Sequence, residues 1–229
     1  PDVTSAKILV SDGTSYEEVA VSGDVSIASG GNQNTAIGTN AGTSITTGDY
    51  NTLLGFQAGD ALTTGNSNVA VGYNALSAED GNGSNIAIGA NSLGNQNAGA
   101  DAYNVAIGHD AGASVTTGNQ NTILGALGAD ALTTGQYNTA LGYKALSLDT
   151  QGNRAVAIGY EALANQNFTS SSDNQNTAVG FHAGKEITTG TENVAIGGEA
   201  LDACTVGNGN VAVGVQALST DQNGSRSVA

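Results

Sequence analysis

The chain is short of aromatic residues (4%), short of cations (five Lys and Arg) and has one cysteine, Cys204; it has no long apolar run. Each shortage excludes something. With few rings and 34 glycines among 229 residues, a conventional core of large side chains cannot be built, so the core must be thin or shared. One cysteine cannot close an intrachain disulfide. Five cations against 20 acids, a formal charge of -15, leave no electrostatic footprint for nucleic acid or an anionic membrane. No stretch of about 18 apolar residues offers a helical membrane span, and no basic start with an apolar stretch reads as a signal peptide. The chain starts at Pro1 and stops at Ala229 inside a repeat, so a segment of something longer is expected and missing targeting signals carry little weight. Hydrophobic content of 39%, largely Ala, Val, Ile and Leu, argues for order over disorder.

What is present is a repeat. Gly38, Gly55, Gly72, Gly89, Gly108, Gly125, Gly142, Gly159, Gly180, Gly197 and Gly214 are spaced by 17, 17, 17, 19, 17, 17, 17, 21, 17 and 17 residues. A fixed period of this size means stacked coils, each burying its face against its neighbours. The two long spacings follow "NQN" at residues 95–97 and 165–167 and lie four coils apart, which defines a super-repeat of about 70 residues. Residues 32–229 then hold two full super-repeats and most of a third, preceded by a β shaft or cap over residues 1–31.

The residue before each of these glycines is a large aliphatic, from Ile37 to Val213; the one before that is alanine in all coils except at Leu53 and Ile123. Alternate strand residues face opposite ways, so an all-β parallel β-roll is expected, with two strands and two turns per coil. In this reading the aliphatic column fills one side and the alanine column lets another backbone approach, so that self-association occurs around an alanine-lined axis. An asparagine column (Asn34, Asn51, Asn68, Asn85, Asn104, Asn121, Asn138, Asn176, Asn193, Asn210) marks turns and forms a hydrogen-bond ladder, broken at Ala155. Cys204 aligns with Ile45, Leu62, Val115, Leu132 and Ile187, and so reads as a small buried hydrophobe.

Candidate chemistry is sparse. His109 and His182 are the only imidazoles, four coils or roughly 20 Å apart by strand spacing, so no catalytic constellation is expected. Glu79, Asp149 and Asp221 align across super-repeats, but the calcium-binding nonapeptide of metal β-rolls is absent, and they read as solvated turns. No metal and no cofactor is expected. Threonine pairs such as Thr46-Thr47 and Thr116-Thr117 invite comparison with ice-binding arrays but are interrupted by two coils in four. After the coil glycines stand Phe56, Tyr73, His109, Tyr143, Tyr160 and Phe181, rings that either stack on sugars or simply cover coil edges. The insertions, residues 95–103 and 165–175, leave one face after Leu93 and Leu163. With Tyr103 and Phe168 as exposed aromatics, they are the other candidate ligand contacts.

The phrase N-[TVI]-A-[IV]-G-x-x-A-[LG], as in "NTAIGTNAG", "NVAIGHDAG" and "NTAVGFHAG", resembles the head repeat of trimeric autotransporter adhesins of the YadA-like kind over Asn34 to Ala229. That resemblance implies a left-handed parallel β-roll in an obligate trimer. Here the coils are longer, a "TTG" turn is added and every fourth connection is extended, a lengthened form similar to repeats in phage tail fibres that carry a chaperone of the endosialidase type. Residues 1–31, with turn signals at Asp12-Gly13 and Gly23-Asp24, look like the shafts of such fibres. The resemblance implies a non-enzymatic virion tail-fibre segment, a parallel homotrimer, with other virion or fibre proteins and a host-surface glycan or protein as partners. A bacterial surface adhesin head is the first alternative, and an ice- or mineral-binding solenoid the second.

Overall fold

The computed structural model describes residues 7–11, 16–20, 25–27, 33–81 and 83–229, and among these there is no helix. Lys7–Ser11 and Tyr16–Ala20 pair antiparallel, from Lys7↔Ala20 to Ser11↔Tyr16. The turn signals at Asp12-Gly13 and Gly23-Asp24 lie outside the described residues. Val25–Ile27 pairs antiparallel with Thr35–Ile37, the first strand of the repeat. From there the chain is a parallel β-solenoid whose eleven three-residue strands, Thr35–Ile37 to Val211–Val213, pair at the same repeat position in every coil. The long coils keep this register too, with Ile88 opposite Ile107 and Ile158 opposite Val179. Both insertions are therefore looped out without a slip, from one coil position: Leu93 N–H donates to Ala111 O and Leu163 N–H to Ala183 O, each at 3.1 Å.

Each coil has one regular strand where two were expected, except that Gly152–Asn153 and Ser172–Asp173 form a short second parallel pair beside the second insertion. Beyond the glycine the backbone turns left-handed at Asn40 (φ 61°) and Gly42 (φ 58°), and again at Tyr50 (φ 61°), and the following coils repeat this. These turns still bond coil to coil, as in Gly42 N–H to Ala58 O (3.0 Å) and Thr46 N–H to Thr63 O (2.9 Å). Outside the pair formed by Gly152–Asn153 and Ser172–Asp173, the second wall is thus a stack of turns rather than a sheet. The coil glycines cannot be replaced, because a Cβ on Gly38 (φ 131°) would lie 2.4 Å from the carbonyl oxygen of Gly55.

The strand also faces the other way from the expected arrangement. Its middle residue, the alanine, is buried, while the residues on either side are exposed or half-buried. The alanine column therefore lines the inside of the coil, and the column from Ile37 to Val213 points outward. A coil one strand wide has room for a methyl group from that strand because the opposite wall supplies the bulk. In the first two coils of a super-repeat the bulk comes from the seventh residue after the glycine (Leu62, Val115, Leu132, Ile187), and in the last two from the fourth (Leu76, Leu93, Leu146, Leu163), all fully buried. Where the seventh residue fills the core, the fourth is small: a Cβ on Gly59 would lie 2.8 Å from Leu53 and Leu62, and one on Gly112 2.9 Å from Ile123. Cys204 follows this volume rule, because its coil already carries Leu201; both are fully buried, and burial pushes the Cys204 thiol up.

The asparagine column is a buried ladder. Asn34 Oδ1 accepts the N–H of Asn51 (2.8 Å), Asn51 Oδ1 that of Asn68 (2.9 Å), and so on to Asn138, while most of the amides also donate to a glycine carbonyl, as Asn121 Nδ2 does to Gly135 O (2.9 Å). None of these asparagines is left-handed; from Asn51 onward the residue in front of each one is, so the asparagine is there for its side-chain bonds. Ala155 takes the N–H end of the ladder from Asn138 (2.9 Å) but cannot pass it on. Asn174, from the insertion, substitutes: its Oδ1 accepts the N–H of Asn176 at 3.2 Å. Asn174→Ala should therefore cost about 1–3 kcal/mol in the native background, by stranding a buried donor. In an Ala155→Asn background the cost should nearly vanish, since the restored side chain supplies the acceptor. A double-mutant cycle by urea unfolding measures this coupling.

Candidate binding surface

Three features of the surface follow from the coil geometry. The first is the outward side of the strands. Ile37, Leu54, Leu124, Ile196 and Val213 are 40–57% exposed, and their neighbours two residues earlier are Thr, Val or Ile throughout, which makes one continuous stripe without a charge. Eleven strands at ~4.8 Å extend it to about 50 Å.

The second is a set of acids with two fates. Glu79 and Asp149, expected to be solvated, are fully buried. They occupy the core position of Leu62 and Val115 in coils where the leucine has moved to the fourth place. Asp149 is held by the N–H groups of Gly152 and Phe168, both at 3.0 Å to Oδ1, and by Gln166 Nε2 at 2.6 Å to Oδ2. Gln166 belongs to the "NQN" insertion and accepts in turn from Asn176 Nδ2 (2.8 Å); Gln96 does the same for Asn104 (2.8 Å). The insertions thus close over the core through a buried glutamine. Asp221 is half-buried.

Asp60, Asp130 and Asp202 recur at the fifth residue after the glycine in the second coil of each super-repeat, and burial pushes all three carboxyls up. A raised folded value means the native state binds the proton more tightly than the unfolded chain does. These three ionisations cost stability at neutral pH, and the cost is relieved as pH falls through their raised values, levelling off below the ordinary value of 3.8. Glu161 has the opposite sign, because its hydrogen bond with Lys185 holds it down. Thermal unfolding by circular dichroism should show a rising midpoint on mild acidification, with a smaller rise in Asp130→Asn.

The third is the rings. Tyr143, Tyr160 and Phe181 form a continuous stack with centroids 5.4 Å apart at each step, joined by His182 at 3.8 Å from Phe181. Phe56 and Tyr73 form a second stack at 5.5 Å and 7°. Stacked along the rod, the rings turn their faces to one another and their edges to solvent, so Tyr160 has no face left for a sugar. Tyr103 is 55% exposed, but Phe168, expected to be exposed, is 8% exposed and packs where its N–H binds Asp149, so it offers no surface. Tyr50 and Tyr137 are exposed and share with Tyr103 the left-handed position before a ladder asparagine. The "YN" pair repeated in "DYN", "AYN" and "QYN" is the sequence signal for that column.

His109 and His182 do not meet: His109 Nδ1 lies 3.0 Å from Asp110 Oδ2, and His182 Nε2 lies 3.3 Å from Glu161 Oε2. Among the described residues no three His, Cys, Asp or Glu side chains come together as metal ligands. Two shallow grooves lie one super-repeat apart. One, about 290 Å³, is lined by Asn74, Ser77, Asn91, Gly94, Asn95, Asp110 and Ala113; the other, about 270 Å³, by the equivalent Lys144, Ser147, Glu161, Ala164, Asn165 and Lys185 together with Leu148. No family model matches the chain, and no curated protein or solved structure is significantly similar to it.

Proposed function

We propose that this chain is a stiff, non-enzymatic segment of a virion tail fibre, built as a parallel homotrimer of left-handed β-rolls, that projects from its particle and spaces or presents a host-binding element. The single observation that carries the reading is the uncharged stripe of outward Ile, Leu and Val side chains running the length of the sheet. Apolar surface of that extent is stable in water only when covered. Identical register in every coil makes the stripe straight, which suits association of identical chains side by side about one axis. The trimer axis is thus lined by the aliphatic column, in place of the alanine column. The hairpin of Lys7–Ser11 and Tyr16–Ala20 supports a fibre shaft ahead of the roll.

An ice-binding solenoid is disfavoured by the threonines. Thr46, Thr116 and Thr188 give their hydroxyl hydrogens to carbonyls of the next coil (3.0–3.2 Å), so these hydroxyls serve the stack. Light scattering coupled to gel filtration tests the assembly: a mass of three times the 22.4 kDa chain is expected, held on dilution, and a monomer or dimer overturns the reading.

A further inference from the structure

The outward stripe is long but narrow. A three-residue strand is about 10 Å wide, so over eleven coils the stripe offers roughly 500 Å² of face. That is less than the ~800 Å² that one partner contributes to a stable interface. Two further exposed columns flank the stripe and about double its width. One lies two residues ahead of each strand and includes Tyr50, Tyr103 and Tyr137; the other lies two residues behind it and includes Phe56, His109 and Tyr143.

The two columns change together. In the second coil of successive super-repeats the pair is Tyr50 with Phe56, then Gln120 with Ala126, then Glu192 with Gly198; in the fourth it is Ser84 with Ala90, then Arg154 with Tyr160. Every Tyr or Arg ahead of the eleven strands belongs to a coil with a ring behind its strand, whereas coils without that ring carry only Gln, Ser, Glu or Gly ahead. Tyr73 and Phe181, the two rings paired with Ser67 and Gln175, each stack on a ring of their own column.

Nothing inside one chain accounts for this correspondence. The members of a pair are separated by the width of the strand. Among the described residues every ring contact joins neighbouring residues or neighbouring coils on one side of the strand, as Tyr143 on Tyr160 and Arg154 over Tyr137 (5.8 Å). Rotation about an axis parallel to the rod supplies the reason. It moves no coil up or down, so the column ahead of one chain's strands meets the column behind the next chain's strands at the same coil. An antiparallel pairing sets each column against itself in reverse order and leaves the correspondence without a cause. The rings behind the strands stack along the rod with their edges outward, and an edge is what an aromatic face accepts in a T-shaped contact.

We propose that the partner of these flanking columns is a second copy of the chain, engaged coil against identical coil. Tyr50, Tyr103 and Tyr137 of one copy lie on the ring edges of Phe56, His109 and Tyr143 of the next, and Arg154 lies against Tyr160. The inference rests on the parallel assembly proposed above and fixes its chain-to-chain register.

The full chain carrying Tyr137→Cys and Tyr143→Cys together, treated with a short bismaleimide, should run as covalent trimers on a denaturing gel. Tyr50→Cys with Phe56→Cys should do the same, so the test does not depend on one coil. Each single variant should stay at the mass of one chain, because each column meets the other and not itself. The native chain is the blank for Cys204, which is fully buried. Tyr50→Cys with Tyr143→Cys, five coils or ~24 Å apart along the rod, should give about tenfold less product or lower still. Efficient linkage in a single variant, or equal linkage in the offset pair, overturns the register. So do double variants that light scattering shows to be three chains and that the reagent leaves unlinked at both coils; the trimer itself then stands. Covalent pairs from a particle of two chains would leave the flanking contacts standing and overturn the trimer, and a native chain of monomeric mass would overturn both.

Discussion

Leu124→Asp should convert the proposed trimer into a monomer while leaving the coils formed. Leu124 is 46% exposed on the isolated chain, in the middle of the outward stripe, so the substitution costs the single chain little. Around a common axis it would bring three carboxylates into an apolar contact, at a cost of several kcal/mol for each ion that loses water without a partner. That exceeds what one strand's worth of burial returns, and the assembly should be lost. The coil-to-coil hydrogen bonds do not involve the leucine side chain, so far-UV dichroism should keep its β character, with a lower melting temperature. Thr117→Asp, on an exposed turn away from the stripe, is the control and should retain the native mass. A Leu124→Asp variant that stays trimeric would show that the stripe is not the interface.

Ala106→Glu should prevent folding altogether, at every concentration. Ala106 is fully buried within its coil, and the neighbouring coil already places Ile123 in the same interior column. Adding a methylene and a carboxylate there combines overpacking, about 1–3 kcal/mol, with an unpaired buried charge worth several more. Together these approach or exceed the whole stability of a typical domain, about 5–15 kcal/mol. The expected result is a chain without β dichroism even when concentrated, in contrast to Leu124→Asp. If Ala106→Glu instead folded and lost only its assembly, the alanine column would face a partner and the interior would have to be reassigned.

The pair tests the point at which sequence reasoning took the wrong side. A three-residue strand with alanine between two larger residues is consistent with either face being inside. What decides is the opposite wall, and that wall is made of turns whose leucines, Leu76, Leu93, Leu146 and Leu163, sit at left-handed positions where glycine is the usual occupant. Nothing in local propensity announces a left-handed leucine; it is held there because its side chain fills the coil. The same cause hid Glu79 and Asp149. An acid after "ALSA" or "ALSL" reads as a soluble turn until the leucine is known to have taken the core place and the insertion's glutamine to have reached in to Gln166–Asp149 contact.

The period, the super-repeat, the in-register stacking and the asparagine ladder with its gap at Ala155 were determined by the sequence alone. Identical residues at identical spacing impose identical local geometry, and stacking is the one arrangement that lets every copy bury the same face. The orientation of the strand, the replacement of most of the second strand by turns, the repair of the ladder by Asn174 and the burial of Phe168 were decided only in three dimensions. Each depends on which residue from a different part of the coil, or from an insertion, arrives to occupy a space or accept a proton, and that arrival is a property of the closed coil with no counterpart in any one stretch of chain.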